Sequence, residues 1–206
     1  MSQTNAHSNT ALTGQLERAT LEGRNKILGF WLFLGAETVL FGTLFAAYLG
    51  LRHQVLDGPT PQELFSLPFV ALMTAVLLVS SLTSVLAVQA MHRGNVKVML
   101  RWLIVTVLLG FTFLCLEIYE FNHYVALGHT FSTSAFSSSF YSLVGFHGAH
   151  VVIGVVWITL VILQMPRKGL TPVTANKVYV ASLYWHYIDV IWVFIFSLVY
   201  LLGRVG

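Results

Sequence analysis

Five long stretches of the chain are filled with apolar side chains and contain no Lys or Arg: Ile27 to Leu51, Leu67 to Met91, Trp102 to Tyr124, Phe140 to Gln164 and Val178 to Leu202. Each exceeds the roughly 20 residues with which an α-helix, rising about 1.5 Å per residue, crosses a ~30 Å hydrocarbon core. The pattern predicts an all-α, polytopic membrane protein with five transmembrane helices. The connections are short. Arg52 to Ser66 carries the turn sequence Asp57-Gly58-Pro59-Thr60-Pro61, and Val125 to Ser139 is rich in Ser and Thr without a charge. Residues 1–26 read as a polar cytoplasmic extension without a signal-peptide core, so the first span itself directs insertion, and 27–206 form the transmembrane domain.

Composition agrees: 56% of residues are hydrophobic and 9% charged, against roughly 25% charged in an average globular protein. The formal charge of +3 would hint at nucleic acid in a soluble chain, but here it reads as topology. Arg18, Arg24, Lys26, Arg93, Lys97, Arg101, Arg167, Lys168 and Lys177 fall on one side of the spans, and only Arg52 and Arg204 on the other. The positive-inside rule therefore predicts a cytoplasmic N-terminus and an outer C-terminus. No nucleic-acid module is present. The single cysteine, Cys115, excludes an intrachain disulfide and any site built on a thiolate pair, including a dinuclear copper centre. No inverted repeat or broken span marks a transporter. In the second span Ser80, Ser84 and Ala87 form a small-residue stripe that would let a neighbouring helix approach.

Four acids lie inside the spans, Glu37, Glu117, Glu120 and Asp189, with three histidines, His147, His150 and His186. At 1.5 Å per residue, Glu37 lies about 15 Å from the cytoplasmic end of its span, His150 about 15 Å from the outer end of its own, and Asp189 about 16 Å from the cytoplasmic end. An acid at that depth costs roughly 2.5–3.5 kcal/mol unless it finds a partner. Glu37 and His150 sit at one level and are expected to hydrogen-bond. His186 and Asp189, three residues apart, are expected to form a local pair. Such groups can serve as a proton relay or as a clasp between helices. Gly148 and Gly154 allow close helix contact in the fourth span, whose His147 and His150 share a face. A bis-histidine haem would need opposed ligands, and His186 could complete at most one such set. Glu120-x-x-His123 has the spacing of di-iron bundles, but its second copy is missing, so the pair reads as a polar, water-contacting helix end. In the fifth span Trp185, Asp189, Trp192 and Phe196 form an aromatic face that packs against protein or lipid. Trp31 and Trp102 lie near the cytoplasmic interface, where Arg24, Lys26, Arg93 and Arg101 are candidates for binding anionic lipid headgroups.

Four motifs, in order, resemble subunit III of the haem-copper respiratory oxidases. They are Gly-Phe-Trp-Leu-Phe-Leu-Gly-Ala-Glu-Thr-Val-Leu-Phe at 29–41, Glu117 to Phe121, Gly-Phe-His-Gly-Ala-His-Val at 145–151, and Tyr-Trp-His-Tyr-Ile-Asp-Val-Ile-Trp at 184–192. The resemblance covers nearly everything after Thr20 and fits the five-helix bacterial form. It implies a non-catalytic subunit of a proton-pumping oxidase in the bacterial plasma membrane, with no catalytic residue and no metal of its own. Haem and copper would reside in partner subunits. The chain would dock mainly on oxidase subunit I, beside subunits II and IV, hold phospholipid in a cleft and support proton uptake. Glu37 matches the family's buried carboxylate, His147 and His150 its histidine pair, and Glu120 its middle-helix acid. Trp185, His186, Asp189 and Trp192 match its last-helix signature, while Glu117 stands where the longer forms often carry Gln. The wording Ala19-Thr20-Leu21-Glu22-Gly23 leans towards a cytochrome c oxidase; subunit III of a quinol oxidase is the alternative, and a small transporter or channel a remoter one.

Overall fold

The computed structural model describes residues 16–54 and 66–205; the extension up to residue 15 and the turn at Asp57–Pro61 lie outside the described residues. Five helices carry the chain: α1 (Leu21–Leu51), α2 (Leu67–His92), α3 (Val96–Ala126), α4 (Ala135–Lys168) and α5 (Pro172–Ile195). The last continues through a π-helical segment, Phe196–Leu201, into a final turn, Leu202–Val205. A 3-10 turn at Leu16–Arg18 precedes α1. All five are long and apolar enough to cross a membrane, and no strand occurs among the described residues.

The helices outrun the apolar stretches. The first begins at Leu21 rather than Ile27, α3 at Val96 rather than Trp102, α4 at Ala135 rather than Phe140, and α5 at Pro172 rather than Val178. Hydropathy reports immersion, whereas helix ends are fixed by capping. Thr20 accepts from Gly23 N at 3.0 Å, Asn95 from Val98 N at 3.2 Å, and Ser134 from Ser137 N at 3.1 Å. At the start of α5, Thr171 and Thr174 bond reciprocally as a capping box, followed by Pro172 in the first turn. Each cap supplies one of the acceptors that the first helical N–H groups lack. Polar turns of helix thus extend beyond the hydrocarbon. Between α2 and α3 the reversal is tight, and Gly94 takes φ 71°, a left-handed conformation that a Cβ would strain.

Helices α2 and α3 form a closely packed hairpin, α4 packs on both α3 and α5, and α1 lies against α4 and α5. The centre is α5, and its anchor is Trp185, only 1% exposed. Its indole N–H donates to Ser80 Oγ of α2 at 3.0 Å. Its ring fills space left by two glycines: a Cβ at Gly110 of α3 would stand 2.5 Å from Trp185 Cη2, and one at Gly154 of α4 would stand 3.0 Å from Cε3. One side chain therefore locks α5 to three neighbours. Beside it Ser84 and Ser182 share a hydrogen bond of 2.8 Å, and Ala87 is fully buried. The small-residue stripe of α2 is thus the seam on which α5 lies. Further along this seam, two turns towards the C-terminal end of α5, Trp192 donates to Thr74 Oγ1 at 3.0 Å. Both tryptophans face protein rather than lipid.

At the basic end, Asn176 donates to the carbonyls of Glu17 (3.1 Å) and Gly23 (3.0 Å), fastening the 3-10 turn and the first turn of α1 onto α5. At the opposite end the α3–α4 connection folds inward. His129 is buried, its Nδ1 3.2 Å from Ser137 Oγ, and Tyr141 donates to its carbonyl at 2.6 Å.

Two consequences are measurable. Gly110→Ala drives a methyl into the Trp185 ring and should cost about 1–3 kcal/mol by overpacking. The melting temperature of the assembled complex should fall, and adding Trp185→Phe should recover part of the loss. His129 gives a pH signature, because burial holds its imidazole below the ordinary value. An unfolded His protonates near pH ~6.5, so below that pH the unfolded chain binds more protons than the folded one. The contribution of His129 is present above pH ~6.5 and is lost as pH falls towards the lowered folded value. The melting-temperature difference between wild type and His129→Asn should therefore shrink between pH 7.5 and 5.

Candidate functional site

The polar side chains inside the spans separate into distinct clusters. At the α1–α4 contact, His150 Nε2 lies 3.0 Å from Glu37 Oε2, so the pair expected from depth is in contact. His150 Nδ1 is 2.7 Å from the Phe146 carbonyl, one turn back. A carbonyl can only accept, so Nδ1 carries a proton, and a second proton must lie between Nε2 and the carboxyl. The contact is then either Glu–OH donating to a neutral ring or imidazolium donating to carboxylate. Phe41 meets the ring edge-on with centroids 5.1 Å apart, and Tyr184 donates to the His150 carbonyl at 3.3 Å. One turn of α5 further on, Tyr187 and Thr38 bring their hydroxyls to 3.4 Å, so three helices meet at this cluster.

His147 behaves differently. It is fully buried, and neither ring nitrogen has a hydrogen-bond partner. Its surroundings are aromatic: Trp192 lies 5.1 Å away at 33° and Phe113 6.0 Å away at 88°. Although His147 and His150 lie one turn apart on α4, the first is core and the second contacts α1.

The expected pair of His186 with Asp189 is absent. His186 Nδ1 sits 2.6 Å from the Ser182 carbonyl, and its Nε2 is unpartnered. Helical side chains lean towards the N-terminus, and the imidazole follows that lean, away from Asp189. The carboxyl of Asp189 is buried at the α2 seam without a hydrogen bond of good geometry, with the Ser81 hydroxyl facing it.

Glu120 corrects a second expectation. His123 is exposed, as a water-contacting helix end should be, but Glu120 is buried. Tyr124 donates to its Oε1 at 2.6 Å and Tyr200 to its Oε2 at 2.9 Å. Tyr200 comes from the π-helical segment, where the wider turn rotates side chains off the 3.6-residue register. The sequence signals Tyr124 by its i,i+4 spacing from Glu120. No spacing rule could bring in Tyr200, because the bulge itself aims it. Glu117, one turn earlier on α3, is 4% exposed and has an unpartnered Oε1. Its carboxyl presses on Gly148, where a Cβ would stand 2.6 Å from Oε2. Gly148 and Gly154 thus both give close contact, one to an acid and the other to Trp185.

No group of three or more His, Cys, Asp or Glu side chains is placed to hold a metal ion among the described residues. The polar clusters join helices instead. Arg24, Lys26, Arg93 and Arg101 are all exposed at the end of the bundle that carries most of the basic residues. Lys26 pairs with Glu22 at 2.6 Å. Between α1 and α5 it overhangs a groove of about 440 Å³ lined by Phe30, Phe33, Trp157, Val180 and Lys177. Trp31 is exposed and Trp102 half-buried.

The comparisons with known proteins agree with these motifs. The family model for cytochrome c oxidase subunit III matches residues 4–204. The chain is 58% identical over 191 residues to cytochrome c oxidase subunit 3 of Alkalihalophilus pseudofirmus, covering 92% of this chain and 93% of that protein. It is 54% identical to cytochrome c oxidase subunit 3 of Bacillus subtilis, covering 92% of each chain. It is 50% identical to quinol oxidase subunit 3 of the same organism, covering 93% of this chain and 94% of that one. A five-helix membrane bundle, four ordered motifs and similarity over nearly the whole length have one conclusion: the chain belongs to the cytochrome c oxidase subunit III family, a subunit of the haem-copper oxidases.

Proposed function

We propose that the chain is the non-catalytic companion of the catalytic subunit in a proton-pumping oxidase of a bacterial plasma membrane, with its N-terminus in the cytoplasm. Haem and copper reside in the partner subunits. Subunit I is the main contact, subunits II and IV complete the complex, and cytochrome c is the donor. The 58% and 54% identities to cytochrome c oxidase subunits, against 50% to a quinol oxidase subunit, support that choice of donor.

The observation that carries the reading is the Glu37–His150 contact. In hydrocarbon an unpartnered polar group costs several kcal/mol, whereas a partnered one contributes only about 0.6–2 kcal/mol to helix association. A carboxyl held this way, beside Tyr184 and Phe41, acts as a clasp that keeps α1 on the bundle. The rival reading makes Glu37 a proton-handling group coupled to the catalytic subunit, and substitutions at Glu37 separate the two. The basic, aromatic groove under Lys26 supports phospholipid binding at the cytoplasmic face.

Glu37→Gln preserves the shape and the hydrogen bond, and Glu37→Ala removes both. The Gln variant should assemble and turn over oxygen at near-wild-type rates. The Ala variant should lose subunit III from the purified complex or inactivate several-fold faster during turnover. Abolished pumping in a fully assembled Gln variant would refute the clasp. For the lipid role, Arg24, Lys26, Arg93 and Arg101 exchanged together for Gln should strip anionic phospholipid from the complex in native mass spectra, since each charge contributes about 1 kcal/mol. Undiminished lipid adducts would count against it.

A further inference from the structure

A groove of about 540 Å³ opens between α3 and α4 on the membrane-facing side of the bundle, lined by Phe111, Cys115, Glu117, Gly145, Gly148 and Val152 among others. Its lining is apolar except for one group, the carboxyl of Glu117, which is buried and carries an Oε1 with no hydrogen-bond partner. The α4 wall combines Gly145 and Gly148 with Val152, Val155 and Val156; no atom lies within 4 Å of where a Cβ at Gly145 would stand, whereas at Gly148 that space is taken by the Glu117 carboxyl. The rim is exposed and bulky, with Phe111 60% and Ile118 60% accessible. A trough with glycine in its wall and bulky edges has the shape that accepts another helix.

Depth decides what fills it. Glu117 lies six residues from the middle of α3, about 9 Å, and so inside the ~15 Å half-thickness of the hydrocarbon. Acyl chains at that level have no donor to offer, and lipid headgroups lie outside it. A second copy meeting this one through the same groove would set carboxyl against carboxyl. The unmatched acceptor calls for a donor fixed within the membrane, which a transmembrane segment of a different protein provides.

We propose that the α3–α4 groove receives a transmembrane helix of another oxidase subunit, and that a hydroxyl, amide or ammonium side chain of that helix donates to Glu117. Gly145, with open space where a Cβ would stand, lets the incoming backbone approach α4, and the donor sets the register. The inference rests on the chain's place in a multisubunit oxidase, which haem co-purifying with the tagged chain reports separately.

The test uses the assembled complex in native membranes, with benzoylphenylalanine replacing Phe111 at the rim or Leu82 on α2, which is 59% exposed, as a reference for background. Irradiation should join the Phe111 position to one other oxidase subunit. Glu117→Gln, which keeps an acceptor, should retain that adduct. Glu117→Leu should lower its yield about fivefold or more, at equal membrane levels of the chain and with the Leu82 background unchanged. Adducts only to lipid or to a second copy, in a complex that still co-purifies with haem, would overturn the groove assignment. An undiminished adduct in Glu117→Leu would overturn the donor, and the proposal with it. Absence of haem from the purified wild type would instead overturn the companion-subunit reading.

Discussion

The bundle depends on how Trp185 is seated. A membrane removes the hydrophobic drive for helices to associate, since lipid tails are as apolar as Leu, and close packing with a few hydrogen bonds must do the work. Trp185 supplies both. Its ring lies in the space vacated by Gly110 and Gly154, and its N–H reaches Ser80, so α2, α3 and α4 are referenced to one rigid group on α5. The Ser84–Ser182 and Trp192–Thr74 contacts continue the same seam along α5. The other polar clusters inherit their geometry from it. Phe113 and Trp192 enclose His147, and Tyr184 on the same helix braces His150.

Placing an acid in a membrane helix commits the fold to finding it a donor. Glu37 is met by His150, and Glu120 by two tyrosines. Glu117 and Asp189 are less completely served, and each lies at a boundary between helices. In the family to which the chain belongs, several subunits assemble into one oxidase. Of the two, Glu117 borders a groove open to the membrane-facing side, whereas Asp189 is enclosed at the α2–α5 seam.

The five spans were legible because hydropathy and charge are themselves the forces that sort residues across a bilayer. Glu37 and His150 were legible for a related reason: both lie at the same depth, and depth follows from counting residues. Helix ends were not, because Thr20, Asn95, Ser134 and Thr171 act as caps outside the hydrocarbon, where hydropathy is silent. Sequence spacing placed His186 beside Asp189, yet the imidazole bonds its own helix at Ser182 instead. Glu120 looked exposed because its span ends nearby, and the partner that buries it depends on a π-helical turn with no compositional mark. Gly110, unremarkable in an apolar run, proved as necessary as the conspicuous glycines of α4.

The Glu37–His150 contact has an electrical consequence. With Nδ1 committed to the Phe146 carbonyl, the pair holds one transferable proton over 3.0 Å, and its net charge is zero whichever partner carries that proton. The proton's displacement is shorter than the 3.0 Å between the two atoms, a small fraction of the ~30 Å hydrocarbon. A charge must move along the normal to exchange work with the transmembrane potential, about 2.3 kcal/mol per 100 mV for a full crossing. Transfer of that proton between the two partners is therefore close to electrically silent, because it leaves the net charge of the pair at zero and moves charge over only a short distance.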